Sequence, residues 1–132
     1  MKRLTSLQEL DLDKNVSDAG LVHLKGLKSL RKLFLSNCSI TDAGLAHLRG
    51  LNGLQLFYLT NTRVTNAGLE HFKGMTSLTM LELSGCEISD AGLTHLKSMR
   101  NLKTLVLSNT RVTDAGSKEL RLALPNLTTL IW

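Results

Sequence analysis

A 24-residue period constrains this chain more than any other feature: Leu30, Leu54, Leu78 and Leu102 fall in register, and nearly every position between them follows. No single unit of that size can bury its own leucines, so the fold has to come from stacking unit on unit. Each unit opens L-x-x-L-x-L, as Leu7/Leu10/Leu12, Leu30/Leu33/Leu35, Leu54/Phe57/Leu59, Leu78/Leu81/Leu83 and Leu102/Leu105/Leu107, with a final Leu127/Leu130/Trp132. The alternation over the last three positions predicts a short strand. The units are read as 7–29, 30–53, 54–77, 78–101 and 102–126, followed by a truncated strand at 127–132, all within one domain spanning 1–132.

Two columns follow each strand, one small and polar (Asn15, Cys38, Thr62, Cys86, Thr110) and one β-branched (Val16, Ile40, Val64, Ile88, Val112). Both are expected to be buried. The second half of each unit, Thr41-Asp42-Ala43-Gly44-Leu45-Ala46-His47-Leu48-Arg49-Gly50-Leu51 in the second, predicts a short helix with its caps. Ser17, Thr41, Thr65, Ser89 and Thr113 stand where an N-cap hydroxyl accepts a backbone N–H, and Asp18, Asp42, Asp90 and Asp114 follow at the positive end of the dipole, with Asn66 the exception. Lys25, Arg49, Lys73, Lys97 and Arg121 meet the negative end, and Gly26, Gly50 and Gly74 are read as left-handed C-caps, with Ser98 the exception.

The pattern L-x-x-L-x-L-x-x-(N/T/C)-x-(I/V) resembles the leucine-rich repeat family over essentially the whole chain. The half T-D-A-G-L-x-H-L-(K/R)-G-L is similar to the short-helix repeats of large bacterial arrays. Two units depart from the period: the first is one residue short between Leu12 and Asp18, and the fifth gains one around Leu122-Ala123-Leu124-Pro125. The resemblance implies an α/β solenoid, a curved horseshoe segment with a parallel concave sheet and short helices on the convex side. Caps are not evident: Leu4-Thr5-Ser6-Leu7 reads as the tail of a preceding unit and Leu130-Ile131-Trp132 as the inside of a strand. Either the chain is part of a longer array or its ends are covered by self-association.

Several chemistries fit poorly. No apolar run approaches the about 20 residues of a spanning helix, and no basic start leads into an apolar stretch, so neither a membrane span nor a secretory leader is expected. Cys38 and Cys86 share a column two units apart, about 9.6 Å at parallel-strand spacing, beyond the roughly 7 Å limit for bridging Cα atoms. The resemblance makes them members of a ladder bonding neighbouring backbone. Unpaired thiols also lean toward a reducing, cytoplasmic compartment. His23, His47, His71 and His95 form one column, but adjacent helical segments lie about 8–10 Å apart, too far for zinc's short bonds. No metal or other cofactor is expected.

The net charge of +5 raises nucleic acid, yet the bases are spread, with only Lys28, Arg31 and Lys32 loosely grouped, and no basic stripe interleaves with aromatics. Nucleic acid is not expected as the main partner. Nor is the chain expected to be an enzyme, since it has no G-x-S-x-G, no phosphate-binding loop and no Cys beside a His on one face.

What remains informative is the face of the predicted sheet that points away from the leucines. Its central column reads Asp11, Phe34, Tyr58, Glu82, Val106 and Ile131, and the column before it Glu9, Lys32, Leu56, Met80, Thr104 and Thr129. The column after reads Asp13, Ser36, Thr60, Ser84 and Ser108. Phe34, Leu56, Tyr58 and Met80 are expected to form one apolar patch bordered by Glu9, Asp11 and Asp13. Aromatic and Met side chains rimmed by polar groups suit a protein-binding surface. The expected function is therefore a non-enzymatic protein-interaction module, with Phe34, Leu56, Tyr58, Met80, Glu82, Val106, Asp11 and Lys32 on its binding face. The alternative is a self-associating structural repeat, a homo-oligomer joined through its ends or this apolar face.

Overall fold

Alternation in the L-x-L segments produces six strands of three residues each: β1 (Glu9–Asp11), β2 (Lys32–Phe34), β3 (Leu56–Tyr58), β4 (Met80–Glu82), β5 (Thr104–Val106) and β6 (Thr129–Ile131). The computed structural model describes residues 6–132; Leu4 and Thr5 of the expected preceding tail lie outside them. The strands form one parallel sheet in sequence order. Register follows the repeat: Leu10, Leu33, Phe57, Leu81, Leu105 and Leu130 are successive partners, so every apolar column stays on one face. Backbone bonds such as Leu35 N–H to Tyr58 O (2.9 Å) and Leu59 N–H to Glu82 O (2.8 Å) extend the ladder past the strand ends.

The helical halves are short because each unit has only 23 to 25 residues in which to go out and return. They comprise α1 (Asp18–Leu21), α2 (Asp42–Ala46) and α3 (Asp114–Ala123), with 3-10 turns at Val22–Leu24, Asn66–Phe72 and Asp90–Leu96. The fifth unit's extra residue lengthens α3, which stops at Leu124 (φ −121°, ψ 84°) because Pro125 bars its predecessor from helical backbone. Leucines from both halves meet in one continuous core. Phe57 and Phe72, two places where the third unit breaks the leucine pattern, are both fully buried and pack edge to face, centroids 5.7 Å apart. Bulk added on the strand is matched by bulk on the helical side, so the period survives. The sheet forms one side of the stacked units and the helical halves the other, the α/β solenoid that the leucine-rich repeat resemblance implies, with the sheet on its concave side.

The N-terminal caps differ from expectation. Only Thr41 and Thr113 accept a bond from their own helix, from Ala43 and Gly116. The stronger bonds run between units. Asp18 accepts the N–H of Thr41 at 2.8 Å as well as its hydroxyl; Asp42 does the same for Thr65 and Asp90 for Thr113. Asn66 repeats the arrangement with an amide, its oxygen accepting the Ser89 N–H at 2.9 Å and its nitrogen donating to the Ser89 hydroxyl at 2.8 Å. The acidic column thus fastens each unit to the next. It also explains the glycine of T-D-A-G, since a Cβ at Gly44, Gly68, Gly92 or Gly116 would run into the Asp or Asn of the preceding unit.

Two other expectations need correction. Gly26, Gly50 and Gly74 are not left-handed; the positive-φ positions among the described residues are Asn37, Asn61, Gly85 and Asn109, one residue before the polar column. Asn and Gly pay the smallest steric cost there. Asn15 is exposed, and Val16 and Thr110 are only half-buried. The first unit, one residue short, does not carry its columns fully inward. The basic column ends the helical halves as expected, with Lys25, Lys73 and Lys97 at C-caps and Arg121 in the last turn of α3, and its members also reach neighbouring units, as in Lys97–Glu119 (2.7 Å) and Arg49–Glu70 (3.4 Å).

Candidate functional site: the concave sheet

Side chains flanking the buried middle residue of each strand point away from the core, and register sets them in rows across the sheet. One row runs Asp11, Phe34, Tyr58, Glu82, Val106 and Ile131, and the other Glu9, Lys32, Leu56, Met80, Thr104 and Thr129. Phe34 and Tyr58 stack with centroids 4.9 Å apart and planes inclined by 27°. Neighbouring parallel strands are themselves about 4.8 Å apart, so the sheet holds the rings at stacking distance without bending either chain. Leu56 and Met80 occupy adjoining positions in the other row. All four are half-buried. They present apolar surface while their inner atoms are held by neighbours.

Charged groups frame the patch. Lys32 pairs with Glu9 at 3.2 Å, an exposed ion pair of small energetic weight. Asp11 is exposed beside Phe34; Glu82, beside Tyr58, accepts the Ser84 N–H at 2.7 Å, which fixes its carboxylate. Val106 is half-buried and Ile131 is 47% exposed.

The cysteines lie beneath the turns that follow β2 and β4. Cys38 donates to Asp13 O (3.0 Å), and Cys86 to Leu59 O (3.2 Å) beside the Thr62 hydroxyl (3.3 Å). Burial pushes both thiols above their ordinary value, with nearby carboxylates adding to the shift. They are therefore poor nucleophiles. Among the histidines, His71 Nδ1 accepts from Arg49 Nε at 2.7 Å, and partial burial together with the guanidinium holds its pKa below the usual value. These residues, with Glu70, Lys73 and Gly74, line a surface hollow of about 380 Å³ on the helical side. Arg49 and His71 belong to separate columns of the repeat, so their contact is not legible within one unit and arises from the offset between adjacent units.

A leucine rich repeat family model matches residues 28–88, and a second leucine rich repeat model matches residues 98–120. The chain is a leucine-rich repeat protein. Its solved structural neighbours agree. An internalin (inlF) from Listeria monocytogenes is 28% identical with a TM-score of 0.71, the alignment covering 83% of this chain and 30% of that one. An internalin C2 from the same organism is 30% identical at a TM-score of 0.73, covering 95% of this chain and 54% of its own. A leucine-rich repeat protein from Leptospira interrogans, 20% identical at a TM-score of 0.66, shares the fold over 82% of this chain and 27% of its own. This leucine-rich repeat chain therefore spans about half or less of each neighbour's length. Comparison with curated protein sequences gives no match. Leucine-rich repeat proteins as a family are protein-binding scaffolds, generally without enzymatic activity. Among the described residues no helix is long and apolar enough to cross a membrane.

Proposed function

We propose that this chain is a protein-interaction module that binds its partner on the concave sheet, with Phe34 and Tyr58 as anchors and Leu56 and Met80 completing the apolar centre. The stacked Phe34–Tyr58 pair carries the reading. Two half-buried aromatic rings, locked against each other on a rigid sheet, lose little side-chain freedom when a partner covers them, and such residues dominate interface energies. Asp11, Lys32, Glu82 and Val106 form the surround. The mechanism is rigid presentation of a preformed surface, with no covalent step.

The test is to capture a partner on immobilised protein, identify it, and measure its affinity for the wild type, Phe34→Ala and Tyr58→Ala by calorimetry. Each truncation is expected to cost about 1–3 kcal/mol. Losses within about 0.5 kcal/mol for both would overturn the reading.

Self-association is the second reading, supported by the exposure of the apolar Ile131 in the outward row of the sheet. Trp132 weakens it. Its indole N–H donates to Asp114 at 3.2 Å and Arg121 lies 5.9 Å from the ring centre, so part of its binding capacity is used within its own chain. Light scattering at several concentrations separates the two: a monomer removes this reading, and a concentration-dependent dimer that Ile131→Lys abolishes favours it.

A further inference from the structure

The concave sheet is charged against the grain of the molecule. The chain carries a net charge of +5, yet its three outward columns hold Glu9, Asp11, Asp13 and Glu82 against Lys32 alone, and Lys32 is already paired with Glu9. The surplus of bases lies elsewhere, much of it in the helical column of Lys25, Arg49, Lys73, Lys97 and Arg121.

Register gives that charge a pattern. In the central row the order is Asp11, Phe34, Tyr58, Glu82, a carboxylate on each side of the stacked rings. With strands about 4.8 Å apart, the strand position of each acidic residue lies about 7.2 Å from the midpoint between those of Phe34 and Tyr58. Side chains on one face of an extended segment recur every two residues, about 6.6–6.8 Å. The two spacings match when such a segment lies across the strands. A residue over the rings then has neighbours two positions before and after it over Asp11 and Glu82.

We propose that the concave sheet recognises an extended partner segment with an apolar or aromatic side chain flanked at both i−2 and i+2 by Lys or Arg. This inference rests on the concave-face reading above and narrows it to a partner chemistry. The apolar residue covers Phe34 and Tyr58 and supplies most of the affinity. The flanking cations meet Asp11 and the carboxylate of Glu82 that Ser84 already holds in place, and they select the partner more than they strengthen it. A nucleic acid backbone would set phosphates against the same carboxylates.

Short labelled peptides test this by fluorescence anisotropy at low salt. The probe Gly-Ser-Lys-Ser-Phe-Ser-Lys-Ser-Gly is compared with the same peptide carrying Glu in place of both Lys, and with one in which Lys-Phe-Lys are contiguous. The basic, spaced probe is expected to bind at least about tenfold more tightly than the acidic one. The preference should vanish in the D11N/E82Q double variant, whose unchanged thermal midpoint shows that it is folded. Equal binding of basic and acidic probes, or of spaced and contiguous ones, overturns the inference. If that equal binding is still lost on Tyr58→Ala, the concave-face reading survives; if it is indifferent to both Tyr58→Ala and Phe34→Ala, both readings fall. No binding of the basic probe at about 1 mM also overturns the inference.

Discussion

The carboxylate of Asp42 holds two donors of Thr65, the backbone N–H at 2.8 Å and the hydroxyl, and thereby fastens the second unit to the third. These bonds are charge-assisted and their donors are only half-buried, so each contributes more than a neutral surface bond and less than a fully enclosed one. Asp42→Ala strands the Thr65 N–H and is expected to cost about 1–3 kcal/mol in urea unfolding. Asp42→Asn is expected to cost about 1 kcal/mol or less, because Asn66 already makes the equivalent pair of bonds to Ser89. Equal losses from the two substitutions would contradict this account.

The glycine of T-D-A-G gives an opposed pair of outcomes. At Gly44 a Cβ would meet the Asp18 carboxylate and come within 3.1 Å of Leu21 Cδ1, so Gly44→Ala should destabilise by about 1–3 kcal/mol. At Gly20 the nearest atom is Val16 Cγ1 at 3.6 Å, an ordinary contact. Gly20→Ala should be neutral or stabilise by up to about 1 kcal/mol through helix propensity. Thermal midpoints of the two variants moving in the same direction would refute the packing argument.

How much of this could be read beforehand depended on whether a feature lies within a unit or between units. Strand positions, parallel register and the outward columns were legible because period two inside a unit and a fixed 24-residue spacing between units leave one pairing that keeps every leucine inside. The destination of Asp42 was not, because capping rules consider only a residue's own helix, whereas its partner belongs to the next one. A signal was nevertheless present: glycine inside a helix has no propensity reason to recur at 44, 68, 92 and 116. The left-handed column was misplaced for a similar reason. Gly26, Gly50 and Gly74 look like helix stops, while Asn37, Asn61 and Asn109 look like ordinary loop residues until the tight turn beneath the sheet is seen. At the concave face the column members and their order were legible, but the stacking of Phe34 on Tyr58 at 4.9 Å and the Ser84 N–H that holds the Glu82 carboxylate needed side-chain geometry.

That left-handed column makes its own prediction. Asn109 has φ 58°, where a Cβ without a short polar end is strained. Asn109→Ala should lower stability by about 1–2 kcal/mol, while Asn109→Gly should lie within about 0.5 kcal/mol of the wild type. Chemical denaturation reads both, and an Ala variant as stable as the Gly variant would refute the strain.

Acid should act on the seam between the fourth and fifth units. Hydrogen bonds from Thr113 lower the pKa of Asp90 below the ordinary carboxyl value of 3.8. A depressed folded-state value means that the unfolded chain binds the proton more readily, so this contribution is complete above pH 3.8 and is lost as pH falls through the folded-state value. Asp90→Asn should therefore flatten the acid limb of the stability curve below pH 3.8 and leave the pH dependence above it unchanged. A variant whose acid limb matches the wild type would remove Asp90 from the titration.

Each inner unit carries both halves of the fastening: a hydroxyl and glycine that receive the unit before, and an Asp or Asn that reaches the unit after. Units of this kind are interchangeable neighbours. Excising residues 54–77 would bring Asp42 opposite Ser89 and Gly92, the same pair of groups it meets at Thr65 and Gly68. Array length is consequently a quantity that duplication and deletion can alter one turn at a time, without redesigning any joint. What such an event changes is the set of side chains displayed on the sheet, so the same joint that holds the solenoid together leaves its recognition surface open to reshuffling.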